Sequence, residues 1–374
     1  MKLFYLTLQS TKEGQAAHAH VHEILKGLCK RGWQAVLFEP RYPKSHSSPS
    51  LFKRFWEFIV VQVRLWWQFY SSDRPSILYI RWHFATWPTA LLARFKKIPT
   101  VQEVNGPYGD LFAAWPWTRH LQRFFVFLMR SQLLWADAVI AVTPRLGDWA
   151  REEGVKKPIV VIPNGANVEI FSPDGQIDPL VEGYGPYVIF FGALAPWQGI
   201  EVMLEAVEVS TWPQQVKLVI VGEGALYGRV AEAARRNSRI VFLGPQPYTH
   251  MPGLIRGSLA VLVPKTDDRS GFMSTGLFPL KLFEGMACGV PVVVTDFPGM
   301  ADLVRKEKCG LVIPPKDAKA LADAVRYLYD HPEARVRMGT KGREIVVRDH
   351  SWDARAAETD RLLRRLLGIV GKEG

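Results

Sequence analysis

The feature that most constrains this chain is a rhythm. Short runs of β-branched and aliphatic residues alternate with amphipathic stretches of helical period, in two series along 374 residues. Parallel strands joined by crossover helices leave this signature, because strands covered on both faces are apolar throughout rather than at every second position. The first series places strands at Lys2–Leu8, Gln34–Phe38, Ile77–Ile80, Thr100–Val104, Ala138–Val142 and Ile159–Ile162. The second places them at Tyr187–Phe191, Lys217–Val221, Arg239–Leu243, Leu259–Val263, Val290–Val294 and Gly310–Ile313. Between them, residues 163–186 are rich in Pro, Gly, Asn and Asp and hold no period. The expectation is an α/β protein of two doubly wound Rossmann-like domains facing across a cleft. They span 1–165 and 187–350, joined by a linker over 166–186. A closing segment, 351–374, forms a helix with Leu362, Leu363, Leu366 and Leu367 on one stripe and crosses back to the first domain. Ligands of such sheets sit beyond the carboxyl ends of the strands, which predicts a site between the domains.

Charge is divided unequally. The chain is +11 overall, and residues 1–165 carry 22 Lys and Arg against 11 Asp and Glu, so the whole excess lies in the first half. An anionic partner for that half is expected. Aromatics interleave with the basic residues in FKRFWEF, VRLWWQFY and WPWTRHLQRFFVFLMR, a mixture suited to an anionic membrane surface. The plainer reading of each stretch, a helix core beside a solvated charged face, stays open. No nucleic-acid motif is present, and nucleic acid is not an expected partner. Leu51–Tyr70 is the most apolar segment, but it carries Lys53, Arg54, Glu57 and Arg64 and is not expected to span a bilayer. Cys29, Cys288 and Cys309 show no pairing rhythm, and a cytoplasmic protein, peripheral at the inner face of the cell membrane, is expected.

Several motifs carry chemistry. In PLKLFEGMACG a helix opens near Pro279, which leaves the amides of Gly276, Leu277 and Phe278 to meet an anion. Lys281 and Glu284 share one face of that helix, a cation for phosphate and a carboxylate for paired hydroxyls. A surface i,i+3 ion pair is the alternative. FFGALAPWQG ends a buried strand at Gly192 and starts a helix after Gly199, which is either a close backbone approach to a ligand or ordinary punctuation. VGEG at 221–224 follows the same logic with less force. The adjacent Asp267 and Asp268 are expected to be solvated rather than to hold a metal.

Five stretches in order, HVHEILKGLCKRGWQAVLF, ADAVIAVTPRLGDWAREEGV, VVIPNGANVEIFSP, FFGALAPWQGIEVMLEAV and PLKLFEGMACGVPVVVTDFPGM, resemble glycosyltransferase family 4, the retaining enzymes of the GT-B fold. The resemblance spans nearly the whole chain. It implies a nucleotide-diphosphate sugar donor bound by the second domain, with Glu284 on the ribose, and a glycan or lipid-linked acceptor held by the first domain. It also implies a reaction without an essential metal or a dedicated base, in which the leaving diphosphate draws the acceptor proton. His20 falls on the family's histidine before valine, and Gly14 opens the segment that closes on sugar and acceptor.

The chain departs from the pattern at four places. The family's diphosphate-gripping arginine and lysine correspond to Ala193 and Gln198, which moves the cationic role to Lys281, with Lys265 and Arg269 as further candidates. The first of two glutamates seven residues apart is Gly276. The family's strand-end histidine is Asn105. Glu103, on the same strand face, either stabilises charge on the sugar or accepts the acceptor proton, or else pairs with Arg81 as a partly buried glutamate. The expected activity is a retaining hexosyl transfer in surface polysaccharide or glycolipid assembly. A non-catalytic nucleotide-binding scaffold is the second reading and a sugar-nucleotide epimerase the third.

Overall fold

The computed structural model describes residues 1–11, 16–42, 50–70, 75–266 and 275–369. Gly14, Asp267, Asp268 and Arg269 lie outside the described residues. The chain forms two compact units, one of residues 1–163 with 353–374 and the other of residues 164–352.

The first unit runs β1 (Lys2–Leu6), α1 (Ala16–Lys30), β2 (Gln34–Phe38), α2 (Leu51–Phe69), β3 (Ile77–Arg81), α3 (Trp87–Phe95), β4 (Thr100–Val104), α4 (Tyr108–Ala114), α5 (Gln122–Trp135), β5 (Ala138–Ala141), α6 (Pro144–Glu152) and β6 (Ile159–Val161). Its parallel sheet has the order β2-β1-β3-β4-β5-β6. Helix starts follow the chemistry of their caps. Ser50 accepts from the Lys53 amide ahead of α2, and Thr143 accepts from the Leu146 amide with Pro144 at the first helical position.

The second unit runs β7 (Tyr187–Phe191), α7 (Ile200–Glu208), β8 (Lys217–Val221), α8 (Tyr227–Arg236), β9 (Ile240–Gly244), α9 (Met251–Arg256), β10 (Val261–Val263), α10 (Leu280–Ala287), β11 (Val292–Thr295), α11 (Met300–Glu307), β12 (Gly310–Ile313), α12 (Ala318–Asp330) and α13 (Pro332–Asp349). Its parallel sheet has the order β12-β11-β10-β7-β8-β9. Alternate residues of the central strands feed two cores. Ile189, Phe191, Val219, Val261 and Val292 point to one face, and Val188, Phe190, Leu218, Leu262 and Val293 to the other. Both faces are therefore dry, as the unbroken apolar runs require.

The last helix, α14 (Trp352–Leu366), belongs to the first unit from Asp353 onward. Arg31 pairs with Asp353 at 2.9 Å, Trp33 Nε1 donates to Asp360 at 2.6 Å, and Leu362 and Leu363 are buried. Leu366 and Leu367 are only partly covered. The segment read as a linker is more ordered than its composition implies. Ala166 bridges to Ser351, Val181 is buried, and Pro179–Val181 forms a 3₁₀ turn capped by Asp178.

Candidate functional site

In each sheet the strand order reverses at one point, between β1 and β3 in the first unit and between β7 and β10 in the second. Crossover helices leave the two strands there in opposite directions, which opens a crevice at their carboxyl ends. Each unit places polar groups at its own crevice.

In the second unit β7 ends at Gly192 and β10 is followed by Pro264 and Lys265. Lys281, on the first turn of α10, reaches the same place. Its Nζ donates to Gln198 Oε1 at 3.2 Å, and Lys265 Nζ donates to the same oxygen at 2.8 Å. Two ammonium groups thus share one neutral amide oxygen, and both lysines are buried. Burial, and then repulsion from Lys265, hold Lys281 well below the ordinary lysine range, with Glu284 pulling the other way. The Lys281 ammonium also sits 3.8 Å from the centre of the Phe190 ring. Gly192 has φ +124°, and a Cβ there would lie 3.2 Å from Lys281 Nζ. The absence of a side chain at 192 is what leaves the ammonium room.

Glu284 lies one turn further along α10, 4% exposed. Its Oε1 accepts from the Tyr248 hydroxyl at 2.5 Å. Burial pushes the carboxyl up to about 7, against the pull of Tyr248 and Lys281. Lys281 and Glu284 are therefore buried functional groups with separate partners rather than a solvated surface pair. Tyr248 is absent from the sequence reading. Its spacing carries no signal, because it reaches Glu284 from the 3₁₀ turn Tyr248–His250 before α9.

The expected row of amides before α10 is corrected at Leu277. Its N–H donates to the Pro298 carbonyl at 2.9 Å, in a bridge with Gly299, and is not available to an anion. Gly276 is buried with φ +86°, and the Phe278 carbonyl accepts from Asn164 Nδ2 at 2.8 Å. Gly199 is explained by packing. It takes a left-handed conformation after the turn Pro196–Gln198, and a Cβ there would fall 1.6 Å from the Pro264 carbonyl oxygen. Gly222 and Gly224 likewise lie against the backbone of residues 192–194. Ala193 is exposed beside Gly192.

In the first unit Glu103, 1% exposed, is the centre of a cluster at the ends of β1, β3 and β4. Oε2 meets the Tyr79 hydroxyl at 2.5 Å, His20 Nε2 at 2.9 Å and the Tyr5 hydroxyl at 3.4 Å. Oε1 accepts from Asn105 Nδ2 at 2.8 Å and Arg81 Nη1 at 3.2 Å. Burial would raise its pKa, but His20, Arg81 and Tyr79 outweigh that and hold the carboxyl far below the usual carboxylate range. Both tyrosines are pushed well above their ordinary range, by burial first and the Glu103 charge second. The structure thus brings Glu103, Asn105, His20 and Arg81 together and adds Tyr5 and Tyr79. Register supplies the missing signal, since Tyr5 pairs with Tyr79 and Arg81 with Glu103 on adjacent parallel strands. A carboxylate with five donors is an anchor for its neighbours, not a free base. Arg81 pairs with it as the ion-pair reading expected.

Known proteins place this pair of units. "Glycosyltransferase Family 4" matches residues 17–170 and "Glycosyl transferases group 1" residues 178–345. A phosphatidyl-myo-inositol mannosyltransferase of Mycobacterium leprae is 30% identical over 60% of this chain and 58% of its own length. The chain spans little over half the length of the first curated relatives it matches. Among solved structures, sucrose-phosphate synthase of Thermosynechococcus elongatus superposes with a TM-score of 0.79 at 20% identity, covering 99% of both chains. Anabaena HepE in complex with UDP superposes with a TM-score of 0.73 at 16% identity, covering 98% of this chain and 100% of that one. With one sequence family matching each unit and the same architecture throughout, the chain belongs to the family-4 glycosyltransferases and has their GT-B fold.

Proposed function

We propose that the chain transfers a hexose from a nucleoside diphosphate donor to a lipid-linked or anionic glycan acceptor, with retention of anomeric configuration, in surface polysaccharide or glycolipid assembly. The observation that carries the donor half is the pair Lys265 and Lys281, buried on one amide oxygen at the carboxyl ends of β7 and β10. Two lysine Nζ atoms converging on one oxygen at the carboxyl ends of β7 and β10 favour a ligand with anionic oxygens. A diphosphate meets that demand, and Glu284 one turn away offers its carboxylate to the paired hydroxyls of a ribose. HepE, solved with UDP, supports UDP as the first nucleotide to test.

In this reading the lysines replace the clamp that Ala193 and Gln198 do not provide. They stabilise charge as it develops on the departing diphosphate, an electrostatic role that needs no essential metal. The departing phosphate oxygen takes the acceptor proton on the same face of the sugar. Glu103 does not serve as base, because its lone pairs are occupied; it holds His20, Arg81 and Asn105 in place for sugar and acceptor. The basic excess of residues 1–165 and the relative named for phosphatidyl-myo-inositol support an anionic, lipid-borne acceptor, met by a cytoplasmic enzyme peripheral to the membrane.

Calorimetric titration with UDP, GDP, ADP, dTDP and CDP tests the donor half. One diphosphate is expected to bind selectively, to lose affinity in Glu284→Ala and Lys281→Ala, and to bind equally with EDTA present. Indifference to all five would move the chain to the reading of a scaffold without transfer.

A further inference from the structure

Helix α2 is apolar on two sides, where a helix packed on a sheet needs one. Phe58, Val61, Leu65 and Phe69 face the core of the first unit. At 100° per residue the far side carries Phe52, Trp56, Ile59, Val63 and Trp67, spaced by four, three, four and four. All five are exposed, Phe52 and Trp67 each at 81%. The stripe continues past the helix end. Tyr70 is exposed with Lys96 Nζ 4.0 Å from its ring centre, and the adjacent Phe95 is 75% exposed. A line of large apolar side chains of this length marks a binding surface rather than scattered exposure.

The border of the stripe is basic. Lys53 is exposed at the start of α2, and Arg94, Lys96 and Lys97 lie exposed at the end of α3, while Arg64 is half-buried and donates to the Glu39 carbonyl. Glu57, the one acidic residue of α2, accepts from the Arg41 amide. A second copy docked on this face would bring one basic border against another. Anionic headgroups complement it, and aromatic rings with lysines at their edge match the boundary between headgroups and acyl chains. Among the described residues no helix is long and apolar enough to cross a membrane.

We propose that α2 is an interfacial helix whose outer face lies in the plane of an anionic bilayer. Phe52, Trp56, Ile59, Val63 and Trp67 sit below the phosphates, and Lys53, Lys96 and Lys97 engage them. This deepens the membrane-facing part of the function proposed above, and it is tested on binding alone.

The experiment is flotation of the full chain with phosphatidylcholine vesicles, with and without phosphatidylglycerol. The protein is expected to float with phosphatidylglycerol present and to stay in solution without it. Trp56→Gln with Trp67→Gln, and separately Lys53→Gln with Lys96→Gln and Lys97→Gln, are expected to lose flotation, the second by roughly fivefold per lysine. Both variants change exposed residues and are expected to keep the wild-type melting temperature and UDP affinity. Flotation unchanged in the tryptophan variant, or no flotation of the wild type with either vesicle, overturns the proposal. So does a concentration-dependent dimer, seen by light scattering, that the tryptophan variant abolishes. Loss of flotation with UDP binding intact leaves the donor reading standing, and the reverse leaves this one.

Discussion

Glu284→Gln isolates the cost of holding a carboxylate inside α10. The carboxyl titrates at about 7 in the folded protein against an ordinary 4.5, and burial is the main cause. Below about pH 4.5 it is neutral in the folded and unfolded chains alike. Between there and about 7 the folded protein keeps a proton that the unfolded chain has released, so stability falls as pH rises through that window. A shift of this size corresponds to about 3 kcal/mol at ~1.4 kcal/mol per pH unit. Glutamine has the same shape, still accepts from Tyr248, and does not titrate. Urea unfolding of both proteins, without nucleotide, at about pH 5 and about pH 8 reads the difference. The variant is expected to gain about 2–3 kcal/mol on the wild type between the two conditions, since part of the cost is already present at about pH 5, while its UDP affinity falls. Parallel pH profiles would refute the reasoning, because they would mean that the carboxylate is already paired or solvated in the folded protein.

The other lysine-side and packing predictions are direct. Lys281→Met removes a buried ammonium held below its ordinary range, and is expected to raise the melting temperature without ligand. The same change weakens UDP about 10- to 100-fold, the worth of one hydrogen bond to a charged group. Gly192→Ala, at φ +124° and 3.2 Å from Lys281 Nζ, is expected to cost about 1–3 kcal/mol in urea unfolding and to weaken UDP as well. Glu103→Ala removes the carboxylate that Arg81, Asn105, Tyr79 and His20 share and is expected to cost about 3–5 kcal/mol, whereas Glu103→Gln keeps an acceptor oxygen on one side of the cluster, turns its amide N–H groups to the other, and costs less. Gly27→Val drives a Cβ into Ala356, 2.3 Å away, and is expected to loosen α14, measured as faster proteolysis after residue 351.

Continuous apolar runs made the strands of the described residues legible, the central ones most plainly, since a strand buried on both faces can be little else at that length. Their ends were less so. β11 begins at Val292, not Val290, because the Val290 amide donates back to Gly285 to close α10 and Pro291 has no N–H to give a ladder. The anion site was legible in part. Lys281, Glu284 and Gly192 carry local signals of charge, helix face and glycine. The Leu277 amide looked available because nothing local shows the Pro298 carbonyl that takes it. Tyr248, Tyr5 and Tyr79 were missed for the same reason. Each reaches its carboxylate across strands or turns distant in sequence, a relation set by register and packing rather than by spacing.

The membership of α14 in the first unit has a consequence for synthesis. A ribosome completes every residue of the second unit before it makes Asp353, Ala356 and Asp360, which meet Arg31, Gly27 and Trp33. The unit translated first is therefore the one finished last. While 164–352 can collapse as soon as it clears the exit tunnel, the nascent 1–163 waits with an open flank, and a chaperone that serves this chain is needed on its earliest residues for longest.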